Sequence, residues 1–132
     1  MSDAFVRRAQ AGGALLMASA TVAGAFGAHA LRGRLAPGDL ELLHTAVQYQ
    51  FIHALGLLLI GALAERGAQR GLRIGGDLLL AGVLLFSGSL YLLLCGAPRV
   101  IGALTPIGGA CLIAGWCFAA CALLRRARAA EP

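Results

Sequence analysis

The sequence predicts an all-α fold, an integral membrane antiparallel four-helix bundle, and three observations favour it. Hydrophobic residues make up 59% of the 132-residue chain and charged residues only 13%, whereas soluble domains have roughly 45–50% and 25%. Four stretches carry no charged residue, and each has the roughly 20 residues that cross a bilayer as a helix. All eleven arginines and all six acidic residues lie outside these stretches, which are Ala9–Leu31, Thr45–Ala64, Leu78–Pro98 and Val100–Leu124.

These stretches leave almost no sequence for a second domain. We therefore expect a single transmembrane domain over residues 1–132, with spans at about 9–31, 45–64, 78–98 and 104–124. The last two connectors are short, so neighbouring helices are expected to run antiparallel.

The first span is expected to pack through small side chains. Ala20, Gly24 and Ala28 recur every four residues, and Gly27 continues a neighbouring stripe. Lipid supplies no hydrophobic force between helices, so close approach of backbones at small residues becomes important. The segment around Ala28 also resembles a signal-peptide cleavage site, but the apolar run exceeds the usual core of about 7–15 residues. We expect the span to be retained.

The remaining spans begin at recognisable signals. Pro37, Gly38 and Asp39 predict a turn into the second helix. Asp77 is placed to cap the third span. Thr105 and Pro106 have the residue types of an N-cap and first helical position for the fourth span, although a helix starting at Val100 would instead be kinked at Pro106.

Arginine counts predict that both termini are cytoplasmic. One side of the membrane would carry eight arginines and the other three, and the positive-inside rule assigns the richer side to the cytoplasm. The richer side holds Arg7, Arg8, Arg66, Arg70, Arg73, Arg125, Arg126 and Arg128, and the poorer side holds Arg32, Arg34 and Arg99.

Polar side chains converge in one half of the predicted bundle. Such groups are costly in hydrocarbon and usually face the bundle interior. Three interpretations are open: a structural hydrogen-bond network, a metal or bis-histidine haem site using His29 and His53, and a small-solute or proton pathway with His53 as the titrating group. The predicted cluster comprises His29, Tyr49, Gln50, His53, Ser87, Tyr91 and Thr105.

Several functional classes find no support in the sequence. The arginines are divided among connectors, so no basic face for nucleic acid is predicted. No catalytic constellation is evident, and no carboxylate lies within a span to couple proton transport. Cys117 and Cys121 share a helix face, but packing is the simpler interpretation than a soft metal site. We expect no enzymatic activity, no metal and no cofactor.

Four blocks of the sequence occur in this order: GAFGAHALRGRL (24–35), AVQYQFIHALGLLLIG (46–61), FSGSLYLL (86–93) and LTPIGG (104–109). Together they resemble domain of unknown function 423, a family of small bacterial inner-membrane proteins that is related to transmembrane protein 256. The resemblance implies a four-helix membrane fold and no established activity or cofactor. The resemblance implies that all seven residues of the polar cluster match motif positions of the family, together with Gly24, Gly27 and Pro106.

The sequence thus predicts a multi-pass protein of the inner (plasma) membrane, most simply a non-enzymatic structural or accessory component. Its expected partners are the lipid bilayer and a larger membrane complex or a homo-oligomer. The alternative is a small-solute carrier or a metal- or haem-binding membrane protein that uses His29, Tyr49 and His53.

Overall fold

The computed structural model describes residues 2–31, 33–66 and 70–129. Four helices in this part of the chain are long and apolar enough to cross a membrane. The helices are α1 (Ser2–His29), α2 (Pro37–Glu65), α3 (Arg70–Leu94) and α4 (Leu104–Ala129), and a 3₁₀ turn (Arg99–Ala103) leads into α4.

The helices pack in chain order as an antiparallel bundle. Helix α1 packs on α2, α2 on α3 and α3 on α4, while α1 makes a smaller contact with α3. The antiparallel register between α1 and α2 is visible at three glycines: Gly61 lies against Gln10, Gly13 against Ala54, and Gly27 against Leu43. The predicted all-α fold class and the predicted number of four long apolar helices are confirmed.

Polar contacts join the helices at the end of the bundle where α1 begins and α4 ends, which we call the terminal end. Arg8 of α1 forms a salt bridge with Asp77 of α3. The Gln10 amide donates to Glu65 at 2.7 Å. Arg126 donates to the carbonyl of Arg66 at 3.0 Å, which satisfies an oxygen just past the last turn of α2.

Helix α3 differs from its predicted boundaries at both ends. It begins at Arg70, so Asp77 lies two turns inside the helix and pairs with Arg8 instead of capping the N-terminus. It ends at Leu94, four residues before the predicted end of the span. Gly96 has φ +87°, and the amides of Gly96 and Ala97 bond back to Leu93 and Leu92. This glycine-closed arrangement terminates a helix because it turns the chain through the left-handed region.

The start of α4 also differs from the prediction. The helix begins at Leu104, directly after the 3₁₀ turn, and Thr105 is already helical. The Thr105 hydroxyl bonds to Ser89 rather than capping α4. Pro106 lies in the first turn, where an α-helix has no internal partner for its amides, so the missing N–H does not break the helix.

Candidate functional site

Gln50 joins three helices from the middle of α2. Its amide nitrogen donates to the Leu16 carbonyl at 2.9 Å and to the Ser19 hydroxyl at 2.7 Å, both on α1. Its carbonyl oxygen accepts from the Tyr91 hydroxyl of α3 at 2.7 Å. Because Gln50 is only 4% exposed, an unpaired amide here would carry a large desolvation cost. Both polar atoms of the side chain are instead bonded to neighbouring helices.

Ser87 makes a second, separate link between α2 and α3. Its hydroxyl donates to the Ala46 carbonyl at 2.9 Å, and the side chain is 1% exposed. Ala46 lies one turn before Gln50 on α2, so Ser87 and Tyr91 hold the same stretch of α2 from one face of α3.

A third hydrogen-bonded group connects α3 with α4. The Ser89 hydroxyl lies 2.9 Å from the Phe86 carbonyl and 2.7 Å from the Thr105 hydroxyl. A serine hydroxyl has one proton. With that proton directed to Phe86, Thr105 is the donor of the second bond. Ser89 thereby anchors the first turn of α4 to α3.

Two aromatic rings lie beside His53, about one turn beyond Gln50 on α2. The Tyr49 ring stacks on Phe86 with centroids 4.3 Å apart and on His53 at 5.7 Å. The Trp116 ring of α4 lies 6.2 Å from His53. His53 Nδ1 is 2.7 Å from the Tyr49 carbonyl, which accepts only, so Nδ1 is the donor of this hydrogen bond.

His29 lies far from His53, which corrects the predicted pairing of the two histidines. The register between α1 and α2 places His53 beside Gly13, because Gly13 contacts Ala54. His29 is sixteen residues further along α1, about 24 Å at 1.5 Å per residue. It is exposed at the helix end. The two histidines therefore cannot hold one metal ion or one haem iron between them.

Other metal-ligating groups do not complete such a site. Among the described residues, no three His, Cys, Asp or Glu side chains lie close enough together to hold a metal ion. Cys117 and Cys121 are both exposed on α4.

A cavity of about 360 Å³ lies beside Gln50 between α1 and α3. Ser19, Ser87 and Tyr91 join Gln50 in its wall, and the remaining lining is apolar. The other lining residues are Leu16, Ala23, Val83, Leu84 and Gly88.

Six residues of the predicted cluster lie in separate groups rather than in one network: Tyr49, Gln50, His53, Ser87, Tyr91 and Thr105. Ser19 and Ser89, which supply partners to Gln50 and Thr105, were not predicted. The predicted span ends gave no signal for Ser19, because it lies twelve residues before Leu31 and Gln50 lies five after Thr45, a difference in depth of about 10 Å. On the observed helices the two depths differ by only about 5 Å.

The small residues of α1 lie on two faces. Ala20 is fully buried, Gly27 lies against Leu43, and Gly24 lies against Val47. Ala28 is exposed, which corrects its placement in the packing stripe. Eight residues along a helix turn it by 800°, so Ala28 is rotated about 80° from Ala20.

Ala28 belongs to an outward row of small residues that we call the α1 seam. Its six members are all exposed, and their spacing alternates between three and four residues. This is the period with which a helix presents one side to a parallel or antiparallel neighbour. The seam consists of Ala11, Ala14, Ala18, Thr21, Ala25 and Ala28.

The comparisons with known proteins agree with this architecture. The family model described as "Protein of unknown function (DUF423)" matches residues 23–109. The chain is 45% identical to the UPF0382 membrane protein YwdK of Bacillus subtilis over 70% of its own length and 76% of the relative's. A UPF0382 membrane protein of Staphylococcus epidermidis is 42% identical over 86% of this chain and 92% of the relative. No solved structure matches the chain.

The matched region begins in the second half of α1 and ends in the first turns of α4, so it contains Gln50, His53, Ser87, Ser89, Tyr91 and Thr105. Relatives that are called membrane proteins and four long apolar helices point to the same environment. The chain therefore belongs to the DUF423 family, whose relatives are named UPF0382 membrane proteins.

Proposed function

We propose that this protein is a non-enzymatic structural or accessory component of a membrane assembly. It resides in the inner (plasma) membrane, and both termini face the cytoplasm. A neighbouring transmembrane helix, from a larger complex or from a second copy of the chain, packs along the α1 seam.

The α1 seam is the observation that carries this proposal. Large apolar side chains suffice where a helix faces lipid, whereas small side chains let two backbones approach closely. Only 17% of the apolar window of α1 is buried within the bundle. The seam therefore offers a close-packing surface that the other three helices of this chain leave open.

The satisfied polar interior supports a structural role. Gln50, Ser87, Ser89 and Thr105 all bond to other groups of the chain. No fully buried side-chain nitrogen or oxygen among the described residues lacks a partner. Polar groups that are already paired fix the helix register rather than supplying free donors and acceptors for chemistry.

The assembly is tested by mild extraction of the full-length tagged protein into lipid nanodiscs, followed by size separation. Wild type is expected to migrate with an assembly larger than one copy. Ala18→Phe on the seam should release a single copy, because the ring prevents close approach. Ile113→Phe is the matched control, since Ile113 is 69% exposed on α4 and lies off the seam. Migration of wild type as a lone species contradicts the proposal.

Membrane orientation has its own test. A reporter fused after the last residue of α4 should report the cytoplasm, and one inserted between α1 and α2 should report the opposite side. Three of the eleven arginines lie on the second side, which is the basis of this expectation. A reversed pattern refutes the orientation without affecting the assembly.

The cavity beside Gln50 favours a second candidate, a carrier of small polar solutes. Its volume of about 360 Å³ exceeds that of several water molecules at roughly 30 Å³ each, and three side-chain hydroxyls share its wall with one amide. Proteoliposomes are then expected to swell faster in glycerol than protein-free vesicles. Leu16→Trp should abolish the difference by filling the cavity, and equal swelling of wild-type and empty vesicles rejects this candidate.

A further inference from the structure

A groove of about 410 Å³ runs between α3 and α4 at the terminal end, remote from Gln50 and His53. Two arginines stand among its lining residues, and the remainder of the lining is apolar or carries a thiol. The principal lining residues are Arg70, Ile74, Cys117, Phe118, Cys121 and Arg125.

The register between α3 and α4 places the two arginines at the same level. A side chain at Gly71 would meet the Ala122 side chain at 2.9 Å, so the start of α3 lies beside the end of α4. Arg70 precedes Gly71 by one residue and Arg125 follows Ala122 by three. Arg70 and Arg125 therefore lie within about 3 Å of each other in depth, at the terminal end of the bundle.

The apolar part of the groove continues inward from this pair. Ile74 lies four residues from Arg70, and Cys121 and Cys117 lie four and eight residues from Arg125. Residues at this spacing share a helix face, and at 1.5 Å per residue they reach about 6 and 12 Å below the arginines. The groove is thus cationic at its mouth and apolar along its length.

Neither arginine has a carboxylate partner in the described residues. The salt bridge among the described residues joins Arg8 to Asp77 instead. The adjacent Arg126 donates instead to the backbone carbonyls of Leu63 and Arg66. Among the described residues no acidic side chain lines the groove, so two exposed like charges stand over an apolar surface there.

We propose that this groove binds one anionic glycerophospholipid. The phosphate lies between Arg70 and Arg125, and the first part of one acyl chain follows Ile74, Cys121 and Cys117. Basic pockets between transmembrane helices are complementary to anionic lipid headgroups, and guanidinium groups pair with phosphate through several parallel hydrogen bonds. The site is independent of the α1 seam, which lies on a different helix.

The proposal is tested by native mass spectrometry of the full-length protein, delipidated in detergent and titrated with phosphatidylglycerol or phosphatidylcholine. Wild type is expected to bind one phosphatidylglycerol in preference to phosphatidylcholine. The double variant Arg70→Gln, Arg125→Gln should bind phosphatidylglycerol about 30-fold more weakly, the factor expected for two arginines at a headgroup. Arg66→Gln, Arg128→Gln removes the same charge at the same end but outside the groove, and it should bind as wild type does.

A second variant tests the binding of the acyl chain separately from the binding of the headgroup. Cys121→Phe fills the apolar groove at an exposed position and keeps both arginines, so it should weaken phosphatidylglycerol binding by at least tenfold. Glycerol 1-phosphate should fail to compete with the lipid. The proposal is overturned if the two double variants lose binding equally, if Cys121→Phe binds as wild type does, or if glycerol 1-phosphate displaces the lipid.

Discussion

Helices α1 and α2 have nearly the same length, 28 and 29 residues, yet they occupy different environments. Half of the apolar window of α2 is buried in the bundle, compared with 17% for α1. Helix α2 packs against both α1 and α3 and carries the two buried polar side chains Gln50 and His53. Helix α1 packs chiefly on α2 and has small residues on both of its faces.

The difference shows that small residues have two roles in this protein. On the inner face of α1, Gly13, Ala20 and Gly27 let the backbone of α1 approach α2, and the Gln50 amide then reaches the Leu16 carbonyl. On the outer face, the α1 seam has the same kind of side chains, and they are exposed on the surface of the described part of the bundle. Small side chains therefore form the packed interface between α1 and α2, and they also form the exposed α1 seam.

The largest expected effect contrasts the two faces at adjacent positions. A side-chain carbon at Gly13 would lie 2.9 Å from the Ala54 carbonyl oxygen and 2.9 Å from Leu58. Gly13→Leu is therefore expected to destabilise the bundle by about 3 kcal/mol, the scale of overpacking. Ala14→Leu, on the exposed seam, should change stability by less than about 0.5 kcal/mol. Unfolding by detergent titration in the monomeric state measures both.

That contrast has a second readout in the membrane. Ala14→Leu should remove the protein from its assembly in nanodiscs while leaving unfolding unchanged. Equal stability losses for the two variants would contradict the assignment of inner and outer faces.

The next effect concerns the polar centre of α2. Gln50→Leu removes three hydrogen bonds between helices, to Leu16, Ser19 and Tyr91. At an average near 0.6 kcal/mol each, the expected loss is about 2 kcal/mol. Gln48→Leu is the matched control because Gln48 is exposed on the same helix. If both substitutions leave the unfolding curve unchanged, Gln50 does not hold the three helices together.

A smaller effect distinguishes the two tyrosines. Tyr91→Phe should cost about 0.6 kcal/mol because its hydroxyl donates to Gln50. Tyr49→Phe should be neutral, since the Tyr49 ring contributes stacking on Phe86 and His53 and stacking survives the loss of the hydroxyl. Unfolding measurements on both variants check this order, and a greater loss for Tyr49→Phe would contradict it.

The smallest effect lies at the terminal end, where α1 meets α3. The Arg8 and Asp77 side chains are 55% and 48% exposed, so Arg8→Gln should cost at most about 1 kcal/mol. Raising the salt concentration should reduce the difference further because ions screen exposed charges. Arg128→Gln serves as a control at the same end. A salt-independent loss would show that Arg8 contributes through packing instead of charge.

Individual residues show which contacts of the polar groups could be predicted from the sequence. Gln50 and Tyr91 were predicted to lie together from their depths, and they form a hydrogen bond. His29 was predicted to join them, but the register of α1 on α2 separates it from His53 by about sixteen residues. Depth within a span is readable from sequence, whereas register depends on which side chains interlock across the interface.

Helix ends show the same division. Pro37 begins α2 as its residue type indicates. Asp77 and Thr105 have good capping chemistry, yet each lies within a helix and bonds to a neighbouring helix instead. The capping preference of a residue type is local, and a hydrogen-bond or salt-bridge partner on another helix can outweigh it.

The sequence by itself determined the number of long helices, their apolar character and the family to which the chain belongs. These properties follow from the need to satisfy every backbone polar group within a helix in lipid. Only the tertiary structure decided that α2 is central, that Ser19 and Ser89 complete the polar groups, and that the α1 seam faces outward. Those outcomes depend on rotation and register of whole helices, which arise from contacts between residues distant in the chain.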